Sequence, residues 1–593
     1  VSLQQGTLLD FLYESDLPGM RHLRLYLKKL LEQGRLLLLC DGLNEVDPHF
    51  RTVIASELAE LLLVTQNRLV VTSREIDYRQ QQELIMLGNE GHIERAVIYP
   101  LQVEQIRQFI ERYIQDQGRQ GQHTAGQVMQ MIDHSRQRYL CANPLILCTL
   151  METIDKVGIE RGKQLDTRGG LLQEYVAQLI EREQARSKWR RGAPAANDVV
   201  QLLSRIACAA RWSNEPYALQ LSAPEENVRR GAHFVTLAGA LLTWLGKHPA
   251  HSPFGPEQPS EPYDLTTLAE ILQFAQSAGL IDLNPDGVLS FRHPMLADYF
   301  VAEYFSAFVT NVQSSAPSQE LLANAGYWSE PVALWAGLLD NPMQLAERFA
   351  VPGNVGEPFV AGQSGYLLQA LALSLICIGV SWTPPQAEFR QETVISARLA
   401  TMLANVMRDG SLREEMAGIF TRCAEEGAQE IYRSLIPLLM IEGIEEFLVL
   451  LDKNIVPGLL FAYLSDSADI LAYEAQVKRL CRLLWRFGPV AVDHAAQLSQ
   501  PVPGRSLRLR AATINILGGT QAQSAVEPLI ARLADTEQFI VDRAINALMR
   551  LGPEISLARL LQELENHTPG RFTHQVHRAI LTFLDRFLAG RDA

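Results

Sequence analysis

Asp41, Glu45 and Arg74 are the residues in this chain whose types and spacing point most directly to chemistry. Asp41 closes an unbroken apolar run within Arg35–Asp47 (RLLLLCDGLNEVD). A run of strand length without alternation reads as a parallel strand buried on both faces. Its carboxyl end is where ligands bind in open α/β sheets. There Asp41 can hold a magnesium ion and Glu45 can polarise a water, the division of labour of a Walker B sequence in nucleotide hydrolysis. A buried strand running into an acidic turn accounts for that stretch alone equally well. The following strand, Leu69–Thr72, ends in Ser73-Arg74, with the helix-like segment Phe50–Thr65 between the two. Such a crossover makes the strands parallel neighbours. Arg74 then leaves the same sheet edge as Asp41, where a guanidinium can grip a γ-phosphate through paired hydrogen bonds.

Read together, DGLNEV and VVTSREIDY resemble the NACHT domain of the STAND signalling NTPases, the group that includes animal NOD-like receptors. Further segments resemble the same family in the same order. YPLQVEQIRQFI and CANPLILCTL are similar to its first helical domain, with Asn143-Pro144-Leu145 at the nucleotide-sensing proline. DTRGGLLQEYV, from Asp166, is similar to the helix that enters its winged-helix domain, and FRHPMLADYFVAEYF, from Phe291, to its terminal signature. The resemblance covers roughly the first half of the chain. It implies ATP and ADP as ligands with magnesium, Pro144 and His293 as nucleotide contacts, and His293 as a latch on the β-phosphate in the closed form. It implies too that self-oligomers form in the active state. Turning a mostly-off population mostly on takes roughly 5.5 kcal/mol of differential binding, more than one imidazole supplies, so domain interfaces must carry the rest.

The chain departs from the family pattern in three places. Asn44 stands at the second acidic position of a DGxDE motif. Leu296-Ala297-Asp298 replaces a common Gln-Glu pair after His293. No GxxxxGK[ST] occurs anywhere, so the loop whose N–H groups and lysine cradle phosphates is missing. Gly158–Lys163 (GIERGK) is one residue short between its glycines and is expected in a helical-domain loop. With Val1 in place of a starting Met, these features are expected of a fragment cut after the P-loop.

Composition fits a large, soluble, multidomain protein: 593 residues, 47% hydrophobic and 20% charged. A net charge of −14 argues against a general binder of nucleic acid or anionic membrane, and the basic stretch Arg182–Arg191 reads as a solvated helix end. The seven cysteines include no CxxC pair. Cys148, Cys208, Cys377 and Cys481 read as buried free thiols in a cytoplasmic protein. Leu367–Trp382 is apolar but shorter than the roughly 20 residues of a membrane span, so it reads as a buried helix. His574 and His577 share a helix face without a third metal ligand at suitable spacing.

Beyond residue 310 the pattern is helical throughout. Arg510-Ala511, Arg543-Ala544 and Arg578-Ala579 recur at 33 and 35 residues, with Pro528 at a helix start and Asp535 at a turn. Helical pairs of this kind bury their apolar faces only by stacking. They resemble the short HEAT repeats of the phycobilisome-lyase type, which implies a scaffold that binds a protein ligand or trigger. Leu322–Leu338, Ile395–Met407 and Leu435–Leu451 are expected as further apolar helices of the same solenoid. His248–Pro262 carries five prolines and reads as a loop. After it come the helix Leu265–Ala278 and a hairpin turning at Asn284–Gly287, as a β-wing requires.

The expected fold class is an α/β P-loop NTPase remnant with a parallel sheet, then a helical domain, a winged helix and an all-α HEAT-like solenoid, predominantly α overall. The expected domains are the NACHT core remnant at 1–97, helical domain at 98–165, winged-helix region at 166–310 with its loop at 248–262, degenerate repeats at 311–500 and HEAT-like repeats at 501–593. The expected function is a signal-transducing ATPase that switches between ADP and ATP states on ligand sensing, in bacterial defence or regulation. The alternatives are a non-catalytic α-solenoid adaptor with a decayed NTPase module, and a lyase-like repeat protein, for which no conjugating or chromophore site is visible.

Overall fold

Two short strands joined through a helix open the described part of the chain. The computed structural model describes residues 24–40, 43, 48–64, 67–73, 84–86, 94–96, 98, 101–116, 124–133, 140–186, 192–221, 230–251, 253, 264–283, 287–309, 317–350, 364–381, 396–439, 441, 443–453, 455–467, 474–502, 505–565 and 573–589. Helix α1 (Arg24–Glu32) precedes β1 (Leu37–Cys40), α2 (Pro48–Val64) and β2 (Arg68–Val71). The strands pair in parallel, Leu37 opposite Arg68 and Cys40 opposite Val71. Asn67 pins their start, accepting from Leu36 N at 2.9 Å and donating to Leu31 O at 2.8 Å.

Burial of this sheet differs from expectation. Helix α2 covers one face, where Cys40, Leu69 and Val71 pack with Ile54, Ala55 and Leu58. On the other face Leu37, Leu39 and Val70 are 58%, 71% and 50% exposed. One helix layer covers only one face of a two-stranded sheet, so the continuous apolar run alternates between buried and open positions.

A second core follows, built by α3 (Val103–Asp116), α4 (Ala125–Asp133), α5 (Pro144–Val157) and α6 (Ile159–Gln164) around Ile110, Val128, Leu147 and Ile154. The GIERGK segment is therefore a helix, not a loop; Gly162 sits against Ile154, where an added methyl would lie 3.0 Å from its side chain. Helix α7 (Arg168–Gln184) joins this core to the next, with Leu171 in the former and Leu172 in the latter.

Next come α8 (Ala196–Trp212), β3 (Ala218–Gln220), α9 (Arg230–Lys247), α10 (Leu265–Ala278), β4 (Ile281–Leu283) and β5 (Val288–Phe291). The strands form an antiparallel sheet in the order β3-β5-β4. Helix α10 has the bounds its sequence signals: Asp264 accepts from Thr266 and Thr267 N–H groups, and Gly279 ends it in the left-handed region at φ 77°. The turn proposed at Asn284–Gly287 lies, apart from Gly287, outside the described residues. Strand β3 is unexpected, because three residues are too few for alternation to register; its pairing with β5 makes it a strand.

From α11 (Pro294–Val309) onward the described chain is helical: α12 (Gln319–Ala323), α13 (Ala325–Leu338), α14 (Pro342–Phe349), α15 (Ser364–Ser381), α16 (Ala397–Arg408), α17 (Gly410–Glu425), a 3₁₀ segment (Gln429–Ser434), α18 (Leu435–Leu438), α19 (Ile444–Leu450), α20 (Val456–Ser467), α21 (Glu474–Trp485), α22 (Val490–Ser499), α23 (Leu507–Gly519), α24 (Val526–Arg532), α25 (Gln538–Leu551), α26 (Pro553–Glu565) and α27 (Thr573–Ala589). The described residues are thus mostly helical, with two small sheets among them. Two expected helices are split. Asn324 breaks Leu322–Leu338 by capping α13, its side chain accepting from Tyr327 N at 3.2 Å. Gly443, at φ 84° and against the Met407 backbone, breaks Leu435–Leu451. Helix α15 takes up the apolar run expected over Leu367–Trp382 as far as Ser381; Leu368 and residues 370–380 are buried in the protein core, whereas Tyr366 is exposed. Among the described residues no helix is long and apolar enough to cross a membrane.

One hydrophobic core runs from Leu172 to Phe583, so the packing is continuous across residue 310. Helix α11 lies against α8 and α13, and the Arg-Ala helices α23, α25 and α27 pack one on the next.

Candidate functional site

The strands put two chain positions at one edge. The ladder runs past β1 and β2, with Thr72 N donating to Cys40 O at 3.0 Å and Leu43 N to Thr72 O at 2.9 Å. Both strands point the same way, so their last residues, Cys40 and Val71, end at the same edge of the sheet. Asp41, Glu45 and Arg74 themselves lie outside the described residues.

Pro144 and His293 each open a helix. Pro144 is the exposed first residue of α5, and Asn143 caps it by accepting from Leu145 N at 2.9 Å and Ile146 N at 3.4 Å. His293 lies two residues past the end of β5, after Arg292, and precedes Pro294. Its Nδ1 accepts from Met295 N at 3.1 Å, so the histidine caps its own helix. In the neutral ring that bond leaves the proton on Nε2. Partial burial lowers the pKa of His293 below the ordinary histidine value, against the smaller opposing pull of Asp298. Met295 packs on both the second core and the long third core, so the first turn of α11 lies where they meet.

Among the described residues, two buried ion clusters that tie α7 and α8 to helices far along the chain were not foreseen. Arg168, at the start of α7, donates to Glu330 of α13 at 2.6 and 2.9 Å and to Glu430 of the 3₁₀ segment at 2.5 and 2.7 Å. Two carboxylates thus share one guanidinium. Glu430, which also has Arg433 nearby, titrates below the usual carboxylate range although its burial alone would raise it. Burial holds Glu330 above that range despite Arg168. The adjacent glycines explain how α7 gets so close. A methyl at Gly169 would collide with the Leu334 carbonyl and lie 3.0 Å from Gly337, and the Thr167 hydroxyl donates to Gly337 O at 2.6 Å. The signal was there to read: two glycines after an arginine at a helix start, and Glu330 alone in the apolar helix AGYWSEPVALW.

The second cluster accounts for a sequence departure. Asp298 is 3% exposed and pairs with Arg211, which is 4% exposed and also donates to Tyr327 O. The guanidinium lies 4.2 Å from the Tyr327 ring centroid, and the Tyr327 hydroxyl donates to Arg211 O at 2.8 Å. Asp298 is therefore a structural carboxylate tying α11 to α8.

The cysteines are free thiols. Cys141, Cys208, Cys377, Cys423 and Cys481 are buried, whereas Cys148, expected to be buried, is half-buried beside Glu152. Among the described residues no group of histidine, cysteine and carboxylate side chains is placed to hold a metal. No protein-family model matches this chain, and no curated protein does.

Proposed function

We infer that this chain is the switching and sensing part of a NACHT-type signalling ATPase, in which nucleotide state governs the packing of a helical sensor. The observation that supports the reading is the parallel β1–β2 pair, whose last residues, Cys40 and Val71, stand opposite each other at one sheet edge. The helix–strand–helix–helix–strand–strand order from α8 to β5 supports it, being the order of a winged helix, with His293 two residues past the end of β5.

In this reading Asp41 holds the magnesium of a bound nucleotide, Glu45 orients the attacking water and Arg74 meets the γ-phosphate. Pro144 and His293 contact the nucleotide from the helical and winged-helix sides. The sequence contains no GxxxxGK[ST] loop, so hydrolysis is not ascribed to these residues alone. The trigger is a protein that docks on the solenoid, and the response is self-association in a cytoplasmic defence or regulatory pathway. A non-catalytic adaptor is the second reading, favoured by the commitment of His293 Nδ1 to its own helix.

The test is ATP turnover by the full-length protein with Asp41→Asn and Arg74→Ala. Loss of turnover in both variants with retained folding supports the switch. Turnover that neither substitution changes overturns it, and absence of nucleotide binding in the unmodified protein favours the adaptor.

A further inference from the structure

The C-terminal solenoid segregates charge between its two helical layers. Helices α21, α23, α25 and α27 pack in series as one layer, and α22, α24 and α26 as the other. The first layer's helices carry nine lysines and arginines against three carboxylates. The second carries two arginines against five. In a protein with a net charge of −14, the first layer is a local reversal of sign.

Its basic residues are joined across helices. Arg543, Asn546 and Arg550 lie on one stripe of α25 at i, i+3 and i+7. Arg586 of α27 donates to Asn546 Oδ1 at 2.7 Å. Arg550 sits 5.4 Å from the Trp485 ring centroid, and the Trp485 indole donates to Asn515 O at 3.1 Å. The strip therefore crosses the layer from α27 to α21. Some charges of this half are already paired: Arg479 of α21 with Glu445 at 3.1 Å, Arg510 of α23 with Asp535 inside, and Arg559 with Glu527 and Glu563 on the second layer. Among the described residues Arg543, Arg550 and Arg578 enter no ion pair; Arg543 rests over the exposed Phe539 ring at 5.1 Å. Leu507, Leu581 and Leu588 are exposed on the same layer.

We propose that this strip docks an acidic polypeptide segment with aliphatic residues interspersed among its carboxylates. The unpaired arginines call for anions, and the exposed leucines and Phe539 call for apolar side chains, which a phosphate backbone does not offer. The inference rests on the sensor reading above for its biological role only. Binding is measured without nucleotide, so its failure is distinguishable from failure of the switch.

The experiment uses fluorescein-labelled peptides of about 12 residues, extended length enough to span four helices set roughly 8–10 Å apart. A Leu-Glu-Glu repeat, polyglutamate of equal length and a single-stranded DNA of equal charge are titrated with the whole chain by fluorescence anisotropy. The Leu-Glu-Glu peptide binds tightest. The charge reversal Arg543→Glu/Arg550→Glu/Arg578→Glu weakens it about tenfold. Raising salt from about 0.05 to about 0.3 M weakens it on the unmodified protein, a readout independent of the variant's folding. Leu581→Ser/Leu588→Ser weakens the Leu-Glu-Glu peptide and leaves polyglutamate unchanged. Absence of Leu-Glu-Glu binding, binding indifferent to salt or to charge reversal, or DNA bound as tightly overturns the proposal.

Discussion

Arg168→Met removes the one cation that two buried carboxylates share, and its consequence can be worked from the geometry. Arg168 makes four hydrogen bonds to Glu330 and Glu430 and a weaker fifth, at 3.4 Å, to Gly427 O. Deleting one member of a buried ion cluster costs about 3–5 kcal/mol, because the partners stay buried and uncompensated. The carboxylates then respond by binding protons. Their native pKa values rise above the unfolded value of about 4.3, so the folded variant holds more protons than the unfolded one. Its stability therefore falls as pH rises from that value, by up to about 1.4 kcal/mol per pH unit for each proton held. The penalty is expected to be smaller at pH 5 than at pH 8. Glu330→Gln in the Arg168→Met background is expected to recover a substantial part of it. A chain of several cores does not unfold in one step, so the assay is amide exchange read by mass spectrometry. The opening free energies of 168–184, 325–338 and 429–438 are the quantities to compare. A penalty below about 1 kcal/mol, identical at the two pH values, would show the cluster to be effectively solvated and refute the reasoning.

Asp298→Ala strands Arg211 beneath Tyr327 and is expected to cost about 3–5 kcal/mol in the opening of α8 and α11, with Asp298→Asn milder; equal and small effects in the two variants would contradict a structural carboxylate. In the full-length protein, His293→Ala is expected to speed ADP release several-fold and to lower stability by about 1 kcal/mol through the lost cap, whereas His293→Asn keeps the cap. An off-rate unchanged in both variants retires the latch. The His293 pKa is depressed, so its cap stabilises fully above the unfolded value of about 6.5 and fades as pH falls below it, which exchange at Met295 across pH 7 to 5 would register. The 593 residues alone are expected to bind ATP more weakly than micromolar, since no preorganised loop cradles its phosphates; micromolar affinity by calorimetry would overturn this.

Local signals in the sequence were sufficient for much of the secondary structure. Asp264 and Gly279 bound α10, Pro294 starts α11, and the apolar stretch between Phe50 and Thr65 encodes the helix that makes β1 and β2 parallel, all through chemistry within a few residues. The Arg-Ala spacing likewise announced the stacked α23, α25 and α27, because a repeat writes its neighbour's packing into its own period. What the sequence could not determine depended on partners far along the chain. The open face of β1 and β2 is a property of what covers them, and an apolar run reads the same whether one face is covered or two. Strand β3 exists because β5 pairs with it. Arg168 meets Glu330 and Glu430 across 162 and 262 residues, and Arg211 meets Asp298 across 87. A carboxylate's sequence neighbours do not reveal which distant guanidinium shares its burial. That pairing is decided only when Gly169 lets α7 press against α13 and the helices close around the charges.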